Sequence, residues 1–404
     1  LISTKAGTVF HTGDWKIDYN PQLGEGIDHK RLKKLSNENI LAMVCDSTNV
    51  LVEGTSGSEE DVIKPLTNII KESKGRVFVS TFASNVTRLN TLAKIGLSLG
   101  RKVALVGQSM WRMTEIAKAC GYLSNLPSFV SERDIKNFDK DKILIICTGS
   151  QGEPRGALNR IAHGTHRDVS ISNEDTVIFS SRVIPGNEVS ISEMQNKLSE
   201  LGANIIESTN DCLIHVSGHP AKEELAQMYS WVKPKTLIAV HGETRHINAH
   251  VKYALGQQIS NAIPGRNGSL IQLAPGDPRF IGELEHGRLI VDGNDLITRN
   301  SEVIKHRHKM MYNGSVHAVL LVDKDYNLLS DPSVMAAGIA EIIEDDNPEN
   351  FIKNFIKDDI KSYYKSKKLD KNYIEDSMTL ALKRIIKVKY MKRPLLKLEI
   401  NILK

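Results

Sequence analysis

The sequence predicts an α/β protein in two or three domains, on three observations. Short runs rich in Val, Ile and Leu alternate with stretches of helical period from the start to about residue 265. Several of these runs stop abruptly in polar clusters. Past residue 264 the pattern breaks into Gly- and Pro-punctuated pieces before a last mixed unit. The strand candidates are 77–81, 103–107, 143–148, 177–181 and 236–240, all apolar runs bounded by turn residues. Pro264-Gly265-Arg266-Asn267-Gly268 and Pro275-Gly276-Asp277-Pro278 mark a linker region with short extended runs. Beyond it the pattern predicts a strand at 316–322, helices at 332–343 and 348–364, a basic helix at 375–386 and a closing strand at 395–402. These suffice for a small α/β domain.

Composition bounds the function. Lys and Arg total 53 against 48 acidic residues, a formal charge of +5 that permits an anionic partner without demanding one. Cys45, Cys120, Cys147 and Cys212 lie far apart with no Cys-x-x-Cys pair. That argues against a thiolate zinc site and a disulfide framework, and for a reduced cytoplasmic interior. No apolar run approaches the ~20 residues a membrane span needs, so no membrane partner is expected. The opening Leu-Ile-Ser-Thr-Lys lacks the organisation of a signal peptide. With no initiator Met and a strand almost at once, the chain is expected to start inside a fold.

Open α/β sheets place ligands beyond the carboxyl ends of their strands, so chemistry is sought in the polar clusters that close the apolar runs. Asp14 ends Val9-Phe10-His11-Thr12-Gly13-Asp14, where its two oxygens suit bridging two cations. Gly-Asp after a strand is also an ordinary turn. His241 closes Leu237-Ile238-Ala239-Val240-His241-Gly242-Glu243, as a ligand for Zn²⁺ or Mn²⁺ or as a hydrogen-bonded structural histidine. His215-Val216-Ser217-Gly218-His219 sets two histidines four apart around a Ser-Gly pair, the makings of a general acid or a phosphate clamp. Gly149-Ser150-Gln151-Gly152-Glu153-Pro154 follows a buried strand and suits a phosphate, with a plain turn as its other reading. It is neither a Walker A loop nor a dinucleotide fingerprint, which leaves nucleotide hydrolysis without support. His246 and His250 have the i, i+4 spacing of a chelate but no Glu to complete His-Glu-x-x-His, which favours a solvated or capping role. The basic stretch from Lys383-Arg384 to Lys392-Arg393 interleaves with Ile385, Ile386, Val388, Leu395 and Leu396, and reads as a packed helix and strand with a solvated face rather than an RNA contact.

Together and in this order, the clusters resemble the ribonuclease J family. The matching pieces are His11-Thr12-Gly13-Asp14-Trp15-Lys16, Asp46-Ser47-Thr48-Asn49, Thr81-Phe82-Ala83-Ser84-Asn85, the loop from Thr148 to Pro154, Ile184-Pro185-Gly186-Asn187-Glu188, His215-Val216-Ser217-Gly218-His219, and Val240-His241-Gly242-Glu243-x-Arg245-His246. The resemblance implies a partial, N-terminally truncated metallo-β-lactamase fold with an inserted β-CASP domain and a small C-terminal α/β domain. Its boundaries are 1–50 and 186–265 for the two parts of the metallo-β-lactamase domain, 51–185 for the β-CASP domain, 266–300 for a linker and 301–404 for the C-terminal domain. It implies phosphodiester hydrolysis in RNA processing and decay, 5′-to-3′ exonucleolytic and endonucleolytic, assisted by two divalent metal ions (Zn, or Mn/Mg). Asp14 and His241 become metal ligands, and Asp46 and His219 catalytic groups. Ser150, Gln151, Gly152, Glu153, His215, Ser217, Gly218 and His219 become the region that binds RNA and recognises a 5′-monophosphate. The C-terminal unit implies a homodimer or homotetramer.

One departure qualifies the activity. The family carries a His-x-His-x-Asp-His motif and a further His ligand before the Gly-Asp strand, and these 404 residues contain no such motif. A dinuclear centre needs roughly three or four ligands per metal, so the chain alone is expected to be inactive. The alternatives are a non-catalytic RNA-binding or dimerising subunit and another β-CASP nuclease.

Overall fold

Two sheets of mainly parallel strands organise the first unit of the computed structural model, which describes residues 1–209, 212–339, 347–363 and 370–403. In chain order the strands of this unit, Leu1–Leu284, are β1 (Ile2–Thr4), β2 (Gly7–His11), β3 (Ile40–Asp46), β4 (Val77–Ser80), β5 (Lys102–Val106), β6 (Ile143–Cys147), β7 (Thr176–Phe179), β8 (Asn204–Ile206), β9 (Thr236–Val240), β10 (Asn261–Pro264), β11 (Ser269–Gln272) and β12 (Arg279–Glu283). The first sheet runs β1-β2-β3-β9-β10, with only the β1–β2 pair antiparallel. The second runs β5-β6-β4-β7-β8 and is parallel throughout. β11 and β12 form a hairpin.

The second sheet shows why its strands are continuous apolar runs rather than alternating ones. Every residue of β4, β6 and β7 is buried, because helices cover both faces. On one side Val77, Val79, Leu105, Leu144 and Ile146 pack with Leu89 and Leu92 of the helix Val86–Ser98. On the other Phe78, Ile143, Ile145 and Val177 pack with Leu158, Met194 and Leu198. Asn85 caps the helix Val86–Ser98 by accepting a bond from the Arg88 amide at 2.9 Å. In the first sheet, Met43, Cys45, Leu237 and Ala239 face Leu225, Met228, Tyr229 and Val232 of the helix Lys222–Val232. The expected insertion boundary at 185 is corrected here. The helix Glu188–Glu200 and β8 complete the second sheet, so that unit continues to Ile206. A parallel strand needs its crossover helix on the same sheet, and a motif boundary alone does not show this.

The second unit, Glu285–Lys404, holds a hairpin of β13 (Leu289–Asp292) and β14 (Asp295–Thr298), then the helix Glu302–Asn313. β15 (Ser315–Val322) is the central strand of a three-stranded sheet, antiparallel to β16 (Ser333–Ala337) and parallel to β17 (Leu395–Ile402) over eight residues. Val316, Ala318, Leu320 and Val322 alternate inwards along β15. They meet Ile374, Met378, Leu382 and Ile386, a stripe at every fourth residue of the helix Lys371–Tyr390. The helix expected over 332–343 is corrected in its first part. Residues 333–337 are a strand, with Val334 facing the core opposite Ala318, and residues 340–343 lie outside the described residues.

Two buried charges hold the first unit together. Arg88 is fully buried, and its guanidinium grips Glu59 through Nε and Nη2, both at 3.0 Å, while Nη1 donates to the carbonyls of Ile214 and Ser180. Glu224 accepts from the amides of Ile17, Ser56 and Ala221 and from the Ser56 hydroxyl, joining three distant segments. Removing one partner of such a pair leaves an uncompensated buried charge, which costs about 3–5 kcal/mol. Arg88→Ala is therefore expected to lower the unfolding free energy of the first unit by that amount, read as a lower urea midpoint, and an unchanged midpoint would show that Glu59 is solvated in the variant.

Candidate metal and phosphate cleft

The carboxyl ends of both sheets open onto one cleft of about 790 Å³. From the first sheet come Thr48 and Asn49 after β3 and His241 after β9. From the second come Phe82, Ser84 and Asn85 after β4 and the run 182–185 after β7. In the second sheet this is where the strand order reverses, since β4 connects outwards to β5 on one side and lies beside β7 on the other. Crevices at such reversals are the usual ligand sites of parallel sheets.

Asp46 is the last residue of β3 and 1% exposed. Its Oδ1 accepts from the Thr48 amide at 2.8 Å and the Thr48 hydroxyl at 2.7 Å. Its Oδ2 lies 2.6 Å from His219 Nδ1, which must donate because a carboxylate only accepts. Burial acts to raise the Asp46 carboxyl, but the His219 and Thr48 bonds outweigh it and hold the group below its ordinary range. The same bond to Asp46 raises the His219 imidazole against the opposing effect of burial. With Nδ1 committed, Nε2 is the His219 atom left for chemistry.

His241 is presented by an unusual backbone. Its φ is +56°, a left-handed conformation that is costly for a residue with a Cβ. The turn is fixed from the neighbouring strand end, where the Ser47 amide and the Thr48 hydroxyl both donate to the His241 carbonyl at 3.2 Å. The result brings His241 Nε2 to 3.6 Å from Asp14 Oδ1 and stacks its ring on His219, with centroids 5.3 Å apart. One donor atom from each of Asp14, His219 and His241 lies within 4.8 Å of the others, and this is the one such group among the described residues. Mixed imidazole and carboxylate donors suit a divalent cation of the Zn or Mn type, and a carboxylate behind a ligating imidazole is the usual support for one. The residues present therefore fit a metal, with Asp14 and His241 as ligands and His219 beside them.

The remaining sequence candidates separate into lining and supporting residues. His215, Ser217, Gly218 and His219 line the cleft. Ser150, Gln151 and Gly152 are buried beneath it and do not. Gln151 spends its amide on the Arg182 carbonyl and the Ile184 amide, both at 2.9 Å, and so pins the cleft-lining run 182–185. Gly152 has φ of +70°, and a Cβ there would sit 2.7 Å from the Ser190 backbone. Glu153 accepts from the Gln151 amide at 3.0 Å, closing the loop on itself. His246 accepts from the Glu243 amide at 3.2 Å and acts as a helix cap. His250 is fully buried between Ser47 Oγ, at 2.8 Å, and the Tyr229 hydroxyl. It is a structural histidine rather than half of a chelate.

Sequence reasoning missed Arg182, whose Nη1 donates to Asn49 Oδ1 at 2.8 Å. The Asn49 amide nitrogen in turn donates to Ser217 Oγ at 2.7 Å and to the His219 carbonyl at 3.0 Å. Arg182 stands just past a parallel strand, so the rule that picked out the other clusters pointed to it as well. It was passed over as part of the run leading into Ile184-Pro185. Lys16 and Arg245 line the same cleft; both stand in motifs that the sequence singled out, but neither was assigned a role there.

A second parallel sheet inserted into a sheet that carries an Asp/His cluster, with both opening on one cleft, is the architecture of the β-CASP metallo-β-lactamase class. Residues 74–198 match the family described as Ribonuclease J, beta-CASP domain, residues 212–264 the Zn-dependent metallo-hydrolase RNA specificity domain, and residues 302–398 the Ribonuclease J C-terminal domain. The chain is 39% identical to Ribonuclease J of Sinorhizobium meliloti, over 98% of its own length and 70% of that protein. It is 34% identical to Ribonuclease J of Corynebacterium glutamicum and 35% identical to that of Helicobacter pylori strain J99, over 84% and 82% of this chain and 48% of each relative. The chain belongs to the ribonuclease J family. It spans about half the length of several curated relatives that it matches.

Burial lowers the His250 imidazole to about 4, so stability depends on acid in a defined direction. The unfolded imidazole takes its proton near pH 6.5 and the buried one only near 4. Stability is fully present above the higher value and is lost as pH falls towards the lower, by roughly 3 kcal/mol for this group. Urea midpoints measured from pH 7 down to 4.5 are expected to fall, and His250→Gln to flatten the decline. An equally steep decline in the variant would assign the acid sensitivity elsewhere.

Proposed function

We propose that this chain carries the RNA-cleaving cleft of a ribonuclease J, acting on RNA in the cytoplasm both from 5′ ends and internally. The observation that carries the reading is the convergence of Asp14 and His241, at the ends of parallel strands, with the Asp46-held His219 from the loop before the helix Lys222–Val232, on a cleft lined by Lys16, Arg182 and Arg245. A phosphodiester is an anion, and cations along a cleft wall align it at little reorganisation cost. A bound pair of divalent ions, Zn or Mn/Mg, supplies Lewis acidity to water and to the scissile phosphate. Asp14 and His241 hold and space that charge. Asp46 keeps His219 in one orientation, so that Nε2 stabilises the developing charge or protonates the leaving oxygen. Ser217, Gly218 and His215 line the wall where a 5′-monophosphate would dock, with Ser150, Gln151, Gly152 and Glu153 as backing. The four cysteines are free, which accords with a reducing compartment, and no described helix is long and apolar enough to cross a membrane. The C-terminal unit is read as the element through which a homodimer or homotetramer forms.

Three donors are too few for a dinuclear centre, so the chain by itself is read as inactive, with activity requiring the His-x-His-x-Asp-His ligands. The test is cleavage of 5′-monophosphorylated RNA with Mn²⁺ or Zn²⁺, by the chain alone and by a protein that joins it to a segment carrying those ligands. Cleavage is expected only from the second. In that active protein Asp14→Asn and His219→Ala are expected to lower kcat by about 10²-fold or more. Undiminished cleavage by either variant overturns its role. Efficient cutting by the chain alone overturns the inactivity.

A further inference from the structure

Arg182 is a cleft cation that the metal chemistry leaves unused. It leaves the carboxyl end of β7 in the second sheet, yet its Nη1 is bonded to Asn49, which follows β3 in the first. Asn49 is 2% exposed, and its amide nitrogen is already committed to Ser217 Oγ and the His219 carbonyl. One arginine from one sheet is thus connected, through one amide, to the turn that carries the imidazole facing Asp14 and His241.

The rest of the guanidinium is open. One N–H satisfies Asn49, and the planar fork has four more donors. Arg182 is exposed and lines the cleft beside Ser84, Asn85 and Ser217. Its bonded partner is a neutral amide, and no described ion pair involves it. A guanidinium with no anion of its own, solvated on one edge and tied to a catalytic turn on the other, has the form of a receptor for a tetrahedral anion.

We propose that Arg182 binds a phosphate of the RNA and, through Asn49, couples that contact to the placement of the His219 imidazole. This rests on the ribonuclease reading above. Arg182 is the phosphate-binding residue and Asn49 a positioning residue. When the phosphate draws the guanidinium along the cleft, the Nη1 bond turns the Asn49 amide. That amide holds both Ser217 and the His219 backbone, so the movement reaches the imidazole. The phosphate is either the 5′-terminal one or an internal one.

The test uses the chain in metal-free buffer with a short, 3′-labelled single-stranded RNA bearing either a 5′-phosphate or a 5′-hydroxyl. Fluorescence anisotropy across a salt series reads affinity and counterion release. Arg182→Ala is expected to weaken binding by roughly tenfold and to reduce the slope of log K against log salt by about 0.7, the value of one lost single-strand phosphate contact. A loss with both RNAs assigns an internal phosphate, and a loss only with the 5′-phosphorylated RNA assigns the terminal one. Histidine-labelled protein then reports the coupling through the His219 ring resonance, assigned with His219→Gln. RNA is expected to shift that signal in the native chain. The shift should be absent in Arg182→Lys, which keeps the charge but not the fork, and in Asn49→Ala where circular dichroism shows that variant folded.

Native affinity and salt slope in Arg182→Ala would overturn the phosphate contact. A His219 signal that RNA leaves unmoved in the native chain, or moves equally in Arg182→Lys, would overturn the coupling. If the native chain binds no RNA, this inference falls together with the ribonuclease reading. If it binds RNA and Arg182→Ala binds equally well, this inference falls alone.

Discussion

A carboxylate buried at a strand end must find donors, and Asp46 finds three. Two come from Thr48, two residues on, and they bend the chain after β3 into a compact turn. The third comes from His219, 173 positions away, and the bond orients that ring. The same turn fixes its neighbour, because Ser47 and Thr48 hold the His241 carbonyl in the left-handed geometry that points its imidazole at Asp14. Solvating one buried charge therefore sets the positions of His219 and His241, the two histidines grouped with Asp14. The energy that holds the site is the cost of leaving Asp46 unpaired.

This arrangement depends on parallel strands. Parallel pairing sends β2, β3 and β9 in one direction, so their carboxyl ends, with Asp14, Asp46 and His241 at or just beyond them, meet at one edge of the sheet. The second sheet brings its own carboxyl ends to the same cleft, and with them Asn85 and Arg182. Arg88 ties three segments together, since the buried guanidinium reaches from the helix Val86–Ser98 to Glu59 and to the carbonyls of Ser180 and Ile214. Asp14 and His241 thus stand on one sheet and Arg182 on the other, and hydrogen bonds through Asn49 join Arg182 to Ser217 and His219.

The site also separates residues by burial in a way that clarifies the Gly-rich loop. Ser150, Gln151 and Gly152 are as buried as core residues, and the Gln151 side-chain amide is spent on the run 182–185. A loop after a buried strand has the composition of a phosphate cradle whether its amides face the ligand or the protein. Here the backbone amides of Gln151 and Gly152 bond within the loop, and the Gln151 side chain braces the wall that Arg182 to Pro185 present. His250 makes the same point from a helix, where the spacing from His246 suits a chelate but Tyr229 and Ser47 claim the ring.

The sequence by itself determined the α/β class, the positions of β4, β6, β7, β9, β15 and β17, the strand-end clusters that contain Asp14, Asp46 and His241, and the loop cluster that contains His219. Local rules suffice for these, because an apolar run and the polar residues that stop it are neighbours in the chain. It did not determine the end of the inserted unit, where β8 joins its sheet through a partner 28 positions earlier. Nor did it determine that residues 333–337 would be a strand, a choice made by the exposed edge of β15. Only the tertiary structure decided which polar residues face the cleft and which support it. Those roles depend on pairings such as Asp46 with His219, Asn49 with Ser217 and Arg182 with Asn49, all separated by more than 130 residues. Burial assigns a side chain its partner, and burial is a property of the packed sheets rather than of any stretch of sequence.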